Sequence, residues 1–292
     1  MRTSGYAAVV AILTTVSTGD PRRARADDTG DRRKAVVDLL AAQARALNAH
    51  DAKAFAATFD SDGFAFLPSA ADEANTADAI QAASKRWLAG LGSATFTIDQ
   101  PHYGSTWYDA ELVVTPGGRL RITGVVRSSH DDSLAYKVGA IHISAPAADK
   151  MVIAAAAAGK LPALPKLEGG RRDPENDVDK VAAFARRLFD DPAVAVVGST
   201  AAEHAAGKTS VSKLLTSWRT LRLVATECKT AYDSDVLLGW EICHVEATMR
   251  TASGTVKVPY RALVILDEPP AAAADQGAKP FLIAAHFSVA TR

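Results

Sequence analysis

The sequence has little cysteine and no surplus of either charge, and both features narrow its function. Cys228 and Cys243 are the only two cysteines in 292 residues. Neither has His or Cys neighbours at the spacing of metal ligands, so the sequence predicts no metal site and no cofactor. Lys plus Arg and Asp plus Glu both number 33. Because this balance gives no overall field, we expect neither nucleic acid nor an anionic membrane as a partner.

A long hydrophobic run is also missing near the N-terminus. The apolar stretch from Ala7 to Val16 is far shorter than the roughly 20 residues of a membrane span. Arg2 precedes it and Ala24-Arg25-Ala26 follows it, a pattern typical of a secretory signal peptide with an A-x-A cleavage site. We therefore expect removal of residues 1–26 and a periplasmic or secreted protein.

The two cysteines lie on neighbouring strand-like runs. These runs are Leu221 to Cys228 and Leu238 to Thr248, with turn-forming residues between them. A hairpin would bring the two thiols opposite each other, and an oxidising compartment would allow them to bridge. A disulfide and a pair of buried free thiols both fit the sequence.

The first half of the chain predicts helices followed by strands. Asp31 can cap a helix that ends near Ala49, and Asp51 can cap a shorter one that carries Phe55 and Phe59. A strand, a third helix and four further strands follow, over Phe64–Leu67, Thr76–Leu88, Ala94–His102, Trp107–Thr115, Arg119–Ser128 and Leu134–Ser144. This order predicts an α+β fold with an antiparallel meander.

The second half repeats this pattern. It predicts helices over Val178–Phe189 and Lys208–Trp218, and strands over Ala193–Val197, Arg222–Cys228, Leu238–Arg250, Thr255–Leu266 and Phe281–Val289. Trp107 aligns with Trp240, and Ala140–Ser144 (AIHIS) aligns with Ala284–Ser288 (AAHFS). We infer a duplication, with a first domain over residues 27–146, a linker over 147–175 and a second domain over 176–292.

A family resemblance rests on residues in both halves. Asn48-Ala49-His50-Asp51 between two helices, followed by Phe55, Phe59 and Asp62-Gly63, is similar to the start of SnoaL-like domains. In the second half, Gly207-Lys208, Trp240, Pro259-Tyr260-Arg261 and His286-Phe287-Ser288 resemble another branch of the same nuclear transport factor 2-like superfamily. The resemblance implies two cone-shaped domains, each a bent antiparallel sheet wrapped around N-terminal helices. It does not choose a function, because this superfamily contains both enzymes and binding modules.

Strand alternation separates residues inside each predicted cone from residues on its outer face. It places Phe281, Ile283, Ala285, Phe287 and Val289 inward, and Leu282, Ala284, His286 and Ser288 outward. It also places Tyr260 inward, and Arg261, His244 and Glu246 outward. We expect the outward polar residues to lie where the two domains pack, unless a bulge shifts the register and turns Arg261 and His286 into a pocket.

The candidate pocket residues are Trp218, Trp240, Glu241, Tyr260, Arg261 and His286. In the first half, His102, Asp109 and Glu111 share strands with Trp107 and Tyr108, but no one position is favoured. The leading hypothesis is an exported, non-catalytic pseudo-dimer that binds a small hydrophobic ligand or a protein partner, with further oligomerisation as an option. The alternative is an enzyme of the isomerase, cyclase, hydratase or hydrolase type that uses acid/base chemistry on a small hydrophobic substrate in one cone.

Overall fold

The computed structural model describes residues 21–69, 71–129, 135–167, 195–198, 203–218, 222–233, 238–251, 254–267 and 281–289. Five helices lie in these ranges: α1 (Pro21–Asn48), α2 (Ala52–Ala56), α3 (Ala77–Leu91), α4 (Asp149–Ala157) and α5 (Lys208–Trp218). Sheet 1 contains β1 (Phe59–Phe66), β2 (Glu73–Ala74), β3 (Thr95–Tyr103), β4 (Trp107–Thr115), β5 (Gly118–Ser128) and β6 (Tyr136–Ser144). Sheet 2 contains β7 (Ala195–Val197), β8 (His204–Ala206), β9 (Arg222–Asp233), β10 (Leu238–Thr251), β11 (Gly254–Asp267) and β12 (Phe281–Val289).

The two sheets have the same strand order. Sheet 1 runs β2-β1-β6-β5-β4-β3, and sheet 2 runs β8-β7-β12-β11-β10-β9. Each contains a four-stranded antiparallel meander, whose last strand pairs in parallel with the first strand of its sheet. The predicted α+β class is confirmed, and the matching orders agree with the internal repeat.

The N-terminal helix begins earlier than the sequence predicts. We expected Asp31 to cap α1, whereas the helix starts at Pro21. Proline is favoured in the first turn of a helix, and the Ala and Arg residues that follow have high helix propensity. Val36, Leu40, Gln43 and Leu47 are buried on one side of α1, as their helical spacing predicts.

The second helix is shorter than predicted. The Asp51 carboxylate accepts a hydrogen bond from the Ala54 amide at 2.9 Å, as expected for an N-cap. The helix ends at Ala56, and Phe59 begins β1 instead of lying on the helix. The Phe55 and Phe59 rings nevertheless meet edge to face, with their centroids 5.4 Å apart.

The predicted linker contains a helix that packs on sheet 2. Val152 of α4 is buried in the core formed by the helix-facing side of sheet 2, where Ala156 and Leu161 also pack. Helix α4 therefore supplies part of the helical layer of the second domain. The helix predicted over residues 178–189 lies outside the described residues.

Each sheet has a core on its helix-facing side, and a third apolar cluster joins the two sheets. The third cluster combines Phe64, Phe66, Trp107 and Val125 of sheet 1 with Trp240, Ile242, Leu263 and Ile265 of sheet 2. The sheets therefore pack through the faces that point away from their helices. No helix among the described residues combines the length and hydropathy needed to cross a membrane.

The two cysteines are bonded in the structure. Cys243 of β10 lies directly opposite Cys228 of β9, and their sulfur atoms are 2.09 Å apart. Of the two states that the sequence allows, the structure has the disulfide.

Candidate functional site

A stacked pair of histidines lies at the centre of the contact between the sheets. His142 of β6 and His286 of β12 are both fully buried, and their ring centroids are 3.9 Å apart at an interplanar angle of 13°. Each ring nitrogen Nε2 is bonded to the serine of the other strand. His142 contacts Ser288 Oγ at 2.7 Å, and His286 contacts Ser144 Oγ at 2.8 Å. The aligned AIHIS and AAHFS segments are therefore joined by two equivalent hydrogen bonds, each from the serine of one segment to the histidine of the other.

The remaining hydrogen bonds fix the protonation of both rings. His142 Nδ1 is 3.1 Å from the His286 carbonyl oxygen, which can only accept a hydrogen bond. His286 Nδ1 is 3.0 Å from Thr123 Oγ1, whose own proton is donated to Asp109 Oδ1 at 3.0 Å. Each histidine therefore carries its proton on Nδ1 and accepts a serine hydroxyl proton at Nε2. Both rings are neutral in this arrangement.

The surroundings favour the neutral form of both rings. Burial is the main cause that holds the pKa of His142 well below 6.5, and electrostatic interactions with His286 and Arg261 act in the same direction. Burial likewise is the main cause that depresses the pKa of His286, and electrostatic interactions with Arg261, Arg121 and His204 lower it further. Protonation of either ring at Nε2 would break the hydrogen bond from the serine hydroxyl. It would also place a positive charge near the cationic arginines.

A buried arginine crosses from sheet 2 to the loop that follows β1. The Arg261 side chain is fully buried, and its Nη1 donates to the Ser69 carbonyl at 3.1 Å. Its guanidinium lies 5.2 Å from the centroid of the Phe66 ring. Burial lowers the pKa of Arg261 to about 10, so that the guanidinium remains a cation at neutral pH. Glu73 lies 4.0 Å from it and bonds His244 at 3.1 Å.

A second polar network leads from the histidine pair toward solvent. His204 of β8 contacts Asp109 Oδ2 of β4 through Nε2 at 2.7 Å, and Arg121 Nη1 is 2.9 Å from His204 Nδ1. Arg121 also pairs with Glu111. Burial is the first cause that lowers the pKa of Arg121, while the charge of Asp109 opposes the shift. Because Arg121 donates a hydrogen bond to His204 Nδ1, the ring proton lies on Nε2, which donates to the Asp109 carboxylate.

An open cleft of about 800 Å³ lies between sheet 1 and the segment 162–167. Its walls are mainly apolar and include Phe64, Ala74, Ala79, Pro162, Leu164 and Leu167. Ser69, Glu73, Asn75 and Lys166 provide polar groups. The segment is held by Leu167, which is buried in the cluster between the sheets and whose amide donates to Glu227 at 3.1 Å.

A packed core lies on the helix-facing side of sheet 1. Tyr108 is fully buried there, and its hydroxyl donates to Gln43 Oε1 at 2.5 Å. Burial raises the pKa of Tyr108, so this phenol stays protonated. A Cβ atom on Gly124 would lie only 2.2 Å from Tyr108 Cζ, so the glycine allows the ring to lie on the sheet.

The structure separates the candidate pocket residues. Arg261 and His286 lie between the sheets, on the outer face predicted by alternation, and do not line a cone. Trp240 also lies between the sheets, where the Arg127 guanidinium is 5.5 Å from the centroid of its indole. Along β10, Trp240 is two residues from Ile242 and therefore shares its face, whereas Cys243 lies on the opposite face. Tyr260 belongs to the helix-facing core of sheet 2, and Glu241 is buried on the same strand as Trp240. The side chain of Trp218 lies outside the described residues.

Alternation fails at one end of β12. Leu282 packs in the helix-facing core and Ile283 packs between the sheets, the reverse of the prediction. The pairing of β11 with β12 shifts between Ile265 and Leu266, where Ala284 and Leu282 are the partners. This irregularity precedes His286 and therefore leaves its orientation as predicted. Glu246, expected between the domains, pairs at 2.8 Å with Lys257 of the adjacent strand.

His204 is the residue of this region that sequence reasoning missed. It lies on a three-residue strand and contacts Asp109, which is 95 positions earlier in the chain. The nearest signal in the sequence is Gly207-Lys208, which belongs to the family resemblance and begins three residues after His204.

Comparisons with solved structures identify similar folds. The chain is similar to an NTF2-like protein of unknown function from Pseudomonas putida KT2440, with 18% identity over 48% of this chain and 97% of the other, at a TM-score of 0.37. A SnoaL-like protein of unknown function from Burkholderia thailandensis is 12% identical over 40% of this chain and 92% of its own length, at a TM-score of 0.29. A cystatin-like domain of unknown function from Nostoc punctiforme is 12% identical over 55% of this chain and 97% of its own length, at a TM-score of 0.33.

These similarities identify no function. No family model and no curated protein matches the sequence. The α+β fold follows from the strand orders and pairings described above.

Proposed function

We propose that the protein is an exported, non-catalytic binding protein that holds a small, mainly apolar molecule in the cleft beside the segment 162–167. The observation that carries this proposal is the cleft itself. Its volume of about 800 Å³ lies within the range of small-molecule sites, and its walls are mainly apolar with a few polar groups.

The polar groups of the cleft suit a ligand with a hydrogen-bonding end. Glu73 lines the cleft, and its carboxylate is held by His244 and faces Arg261. Ser69, Asn75 and Lys166 add further donors and acceptors. A mainly hydrophobic molecule with one hydroxyl, carbonyl or carboxylate group fits this lining.

Binding is favoured over acid/base catalysis because the buried histidine pair and the buried tyrosine do not reach the cleft. His142 and His286 are fully buried and bond each other's strands. Tyr108 is sealed inside the core of sheet 1 with Gln43 as its partner. These groups stabilise the packing of the domains, and they do not line the cleft.

Export is supported by the N-terminal pattern and by the bonded cysteines. Disulfides persist in oxidising compartments, and Cys228 is bonded to Cys243. N-terminal sequencing of the protein recovered from a bacterial periplasm tests this part. A mature chain that begins at Asp27 is expected, and an uncleaved chain in the cytoplasm would contradict it.

Native mass spectrometry tests the binding proposal. The exported full-length protein is measured before and after denaturation and refolding, and we expect a small-molecule adduct that denaturation removes. The variant Ala163→Trp fills the cleft from an exposed position of its wall and should lose the adduct. Ala154→Trp, at an exposed position of α4 that does not line the cleft, is the matched control.

Three outcomes contradict the proposal. Absence of an adduct from the wild type, even after incubation with a panel of small apolar compounds, contradicts binding. An adduct that persists in Ala163→Trp places the ligand elsewhere. Conversion of the recovered molecule by the refolded protein would favour the enzyme alternative.

A further inference from the structure

We propose that His102, Asp109 and His204 form a binding site for Zn²⁺ at one end of the contact between the two sheets. One ligand atom from each residue lies within 4.8 Å of the other two. His102 and Asp109 belong to sheet 1, and His204 belongs to sheet 2. A metal ion bound here would tie the two halves of the chain together.

The strand pairing brings the first two ligands together. His102 of β3 is the direct partner of Asp109 in β4. The pairing of β3 with β4 shifts between Asp99 and His102, and Gln100 within this irregularity has a φ of 46°. The irregularity sets the register in which His102 faces Asp109, while β8 brings His204 to the same carboxylate.

The chemistry of the three side chains suits zinc. Two imidazoles and a carboxylate with one open position form a recurrent zinc ligand set. Asp109 Oδ1 is held by the Thr123 hydroxyl at 3.0 Å, and Oδ2 contacts His204 Nε2 at 2.7 Å. Such an outer hydrogen bond orients a ligating carboxylate. The three residues become progressively more accessible, from buried Asp109 through partly buried His204 to exposed His102, so solvent reaches the fourth position.

Binding requires one proton rearrangement at His204. Nε2 now carries the ring proton and donates it to Asp109. For Nε2 to bind the metal, the neutral ring must change tautomer and carry this proton on Nδ1. Arg121 faces Nδ1 at 2.9 Å and must turn from it. The Arg121 guanidinium keeps its ion pair with Glu111 when it turns.

The local charge favours a cation. Arg119 pairs with both Asp99 and Glu111, and Arg121 pairs with Glu111 beside Asp109. Three carboxylates therefore face two guanidiniums in this network, which leaves it with a negative charge in the absence of metal. The Zn²⁺ site lies apart from the apolar cleft, and its test does not depend on ligand binding there.

Metal titration of the tag-free, chelator-treated full-length protein tests the proposal. We expect one Zn²⁺ per chain by calorimetry and a rise in Tm on saturation, because a ligand that binds only the folded state stabilises it. Co²⁺ should give the intense visible absorption of a tetrahedral site. His102→Ala, at an exposed position, should weaken binding by about tenfold or more. His204→Asn should do the same and abolish the cobalt spectrum.

His50→Asn is the matched control. His50 has a φ of 51°, which Asn tolerates, and it bonds the Ala94 carbonyl on the other side of sheet 1 from His204. This variant should bind Zn²⁺ like the wild type. Absence of stoichiometric binding by the wild type would overturn the proposal, as would unchanged affinity in folded His102→Ala and His204→Asn.

Discussion

Mild acid should destabilise the protein through the stacked histidines at the contact between the sheets. His142 and His286 are neutral, fully buried and bonded to Ser288 and Ser144. Their pKa values in the folded state lie well below the ordinary value of 6.5, first because of burial. The groups that face them are Arg261 and Arg121, whose charges oppose protonation, His204, and Asp109, which is linked to His286 through Thr123.

The sign and the magnitude follow from proton linkage. Because the histidine pKa is lower in the folded state, the unfolded chain binds a proton below pH 6.5 that the folded chain does not bind. The contribution of each histidine to the free energy of unfolding is therefore fully present above pH 6.5 and decreases below it. Each such group costs up to about 1.4 kcal/mol per pH unit. Between neutral pH and about pH 5 the free energy of unfolding should fall by about 2 kcal/mol per histidine, or about 4 kcal/mol for the pair.

Urea denaturation at several pH values between about pH 5 and 8 measures this loss. The variant His142→Gln keeps a donor and an acceptor but cannot titrate, and it should show about half the wild-type pH dependence. Lys53→Gln, an exposed substitution of a group that does not titrate between about pH 5 and 8, should keep the full dependence. A wild-type dependence in His142→Gln would refute the assignment of this titration to the buried pair.

Three further predictions concern the stability of individual elements. Gly124→Ala should destabilise the protein by about 1–3 kcal/mol because its Cβ would meet Tyr108 at 2.2 Å, whereas Gly90→Ala, with open space around it on α3, should be neutral or stabilising in the same urea assay. Reduction of the Cys228–Cys243 disulfide, which spans 15 positions, should cost about 3 kcal/mol, measured with and without dithiothreitol, and no loss would contradict its role. Asp51→Ala should cost about 1 kcal/mol through the lost cap, measured against the exposed substitution Lys53→Ala.

The sequence predicts elements best where the controlling contacts are local. The bounds of β4, α5 and β12 agree with the predicted ranges, since turn-forming residues precede each of them: Gly104-Ser105, Gly207 and Pro280. Predictions were less accurate at α1 and β1. The start of α1 depended on a proline and on helix propensities before Asp31, and β1 gains its first residues by pairing with β6 far along the chain.

The candidate site was predictable only in part, because its contacts are long-range. The period of two along β11 and β12 correctly places Arg261 and His286 on the outer face of sheet 2. The same rule fails at Leu282 and Ile283, where an irregularity that has no clear sequence signal reverses the two side chains. The association of His204 with Asp109 depends on how the two sheets dock, which no local pattern contains.

The repeat explains why the residues most suited to chemistry lie where they do. When two copies of one domain pack through equivalent faces, each outward residue of one copy meets the corresponding region of the other. The His-x-Ser segments of β6 and β12 therefore meet each other, and each serine satisfies the histidine of the opposite strand. Burial of these polar groups is tolerated because they are paired, and removal of one partner leaves a buried group without its hydrogen bond. The paired histidines thus help to specify how the two sheets dock, because another arrangement would leave these buried polar groups without their hydrogen bonds.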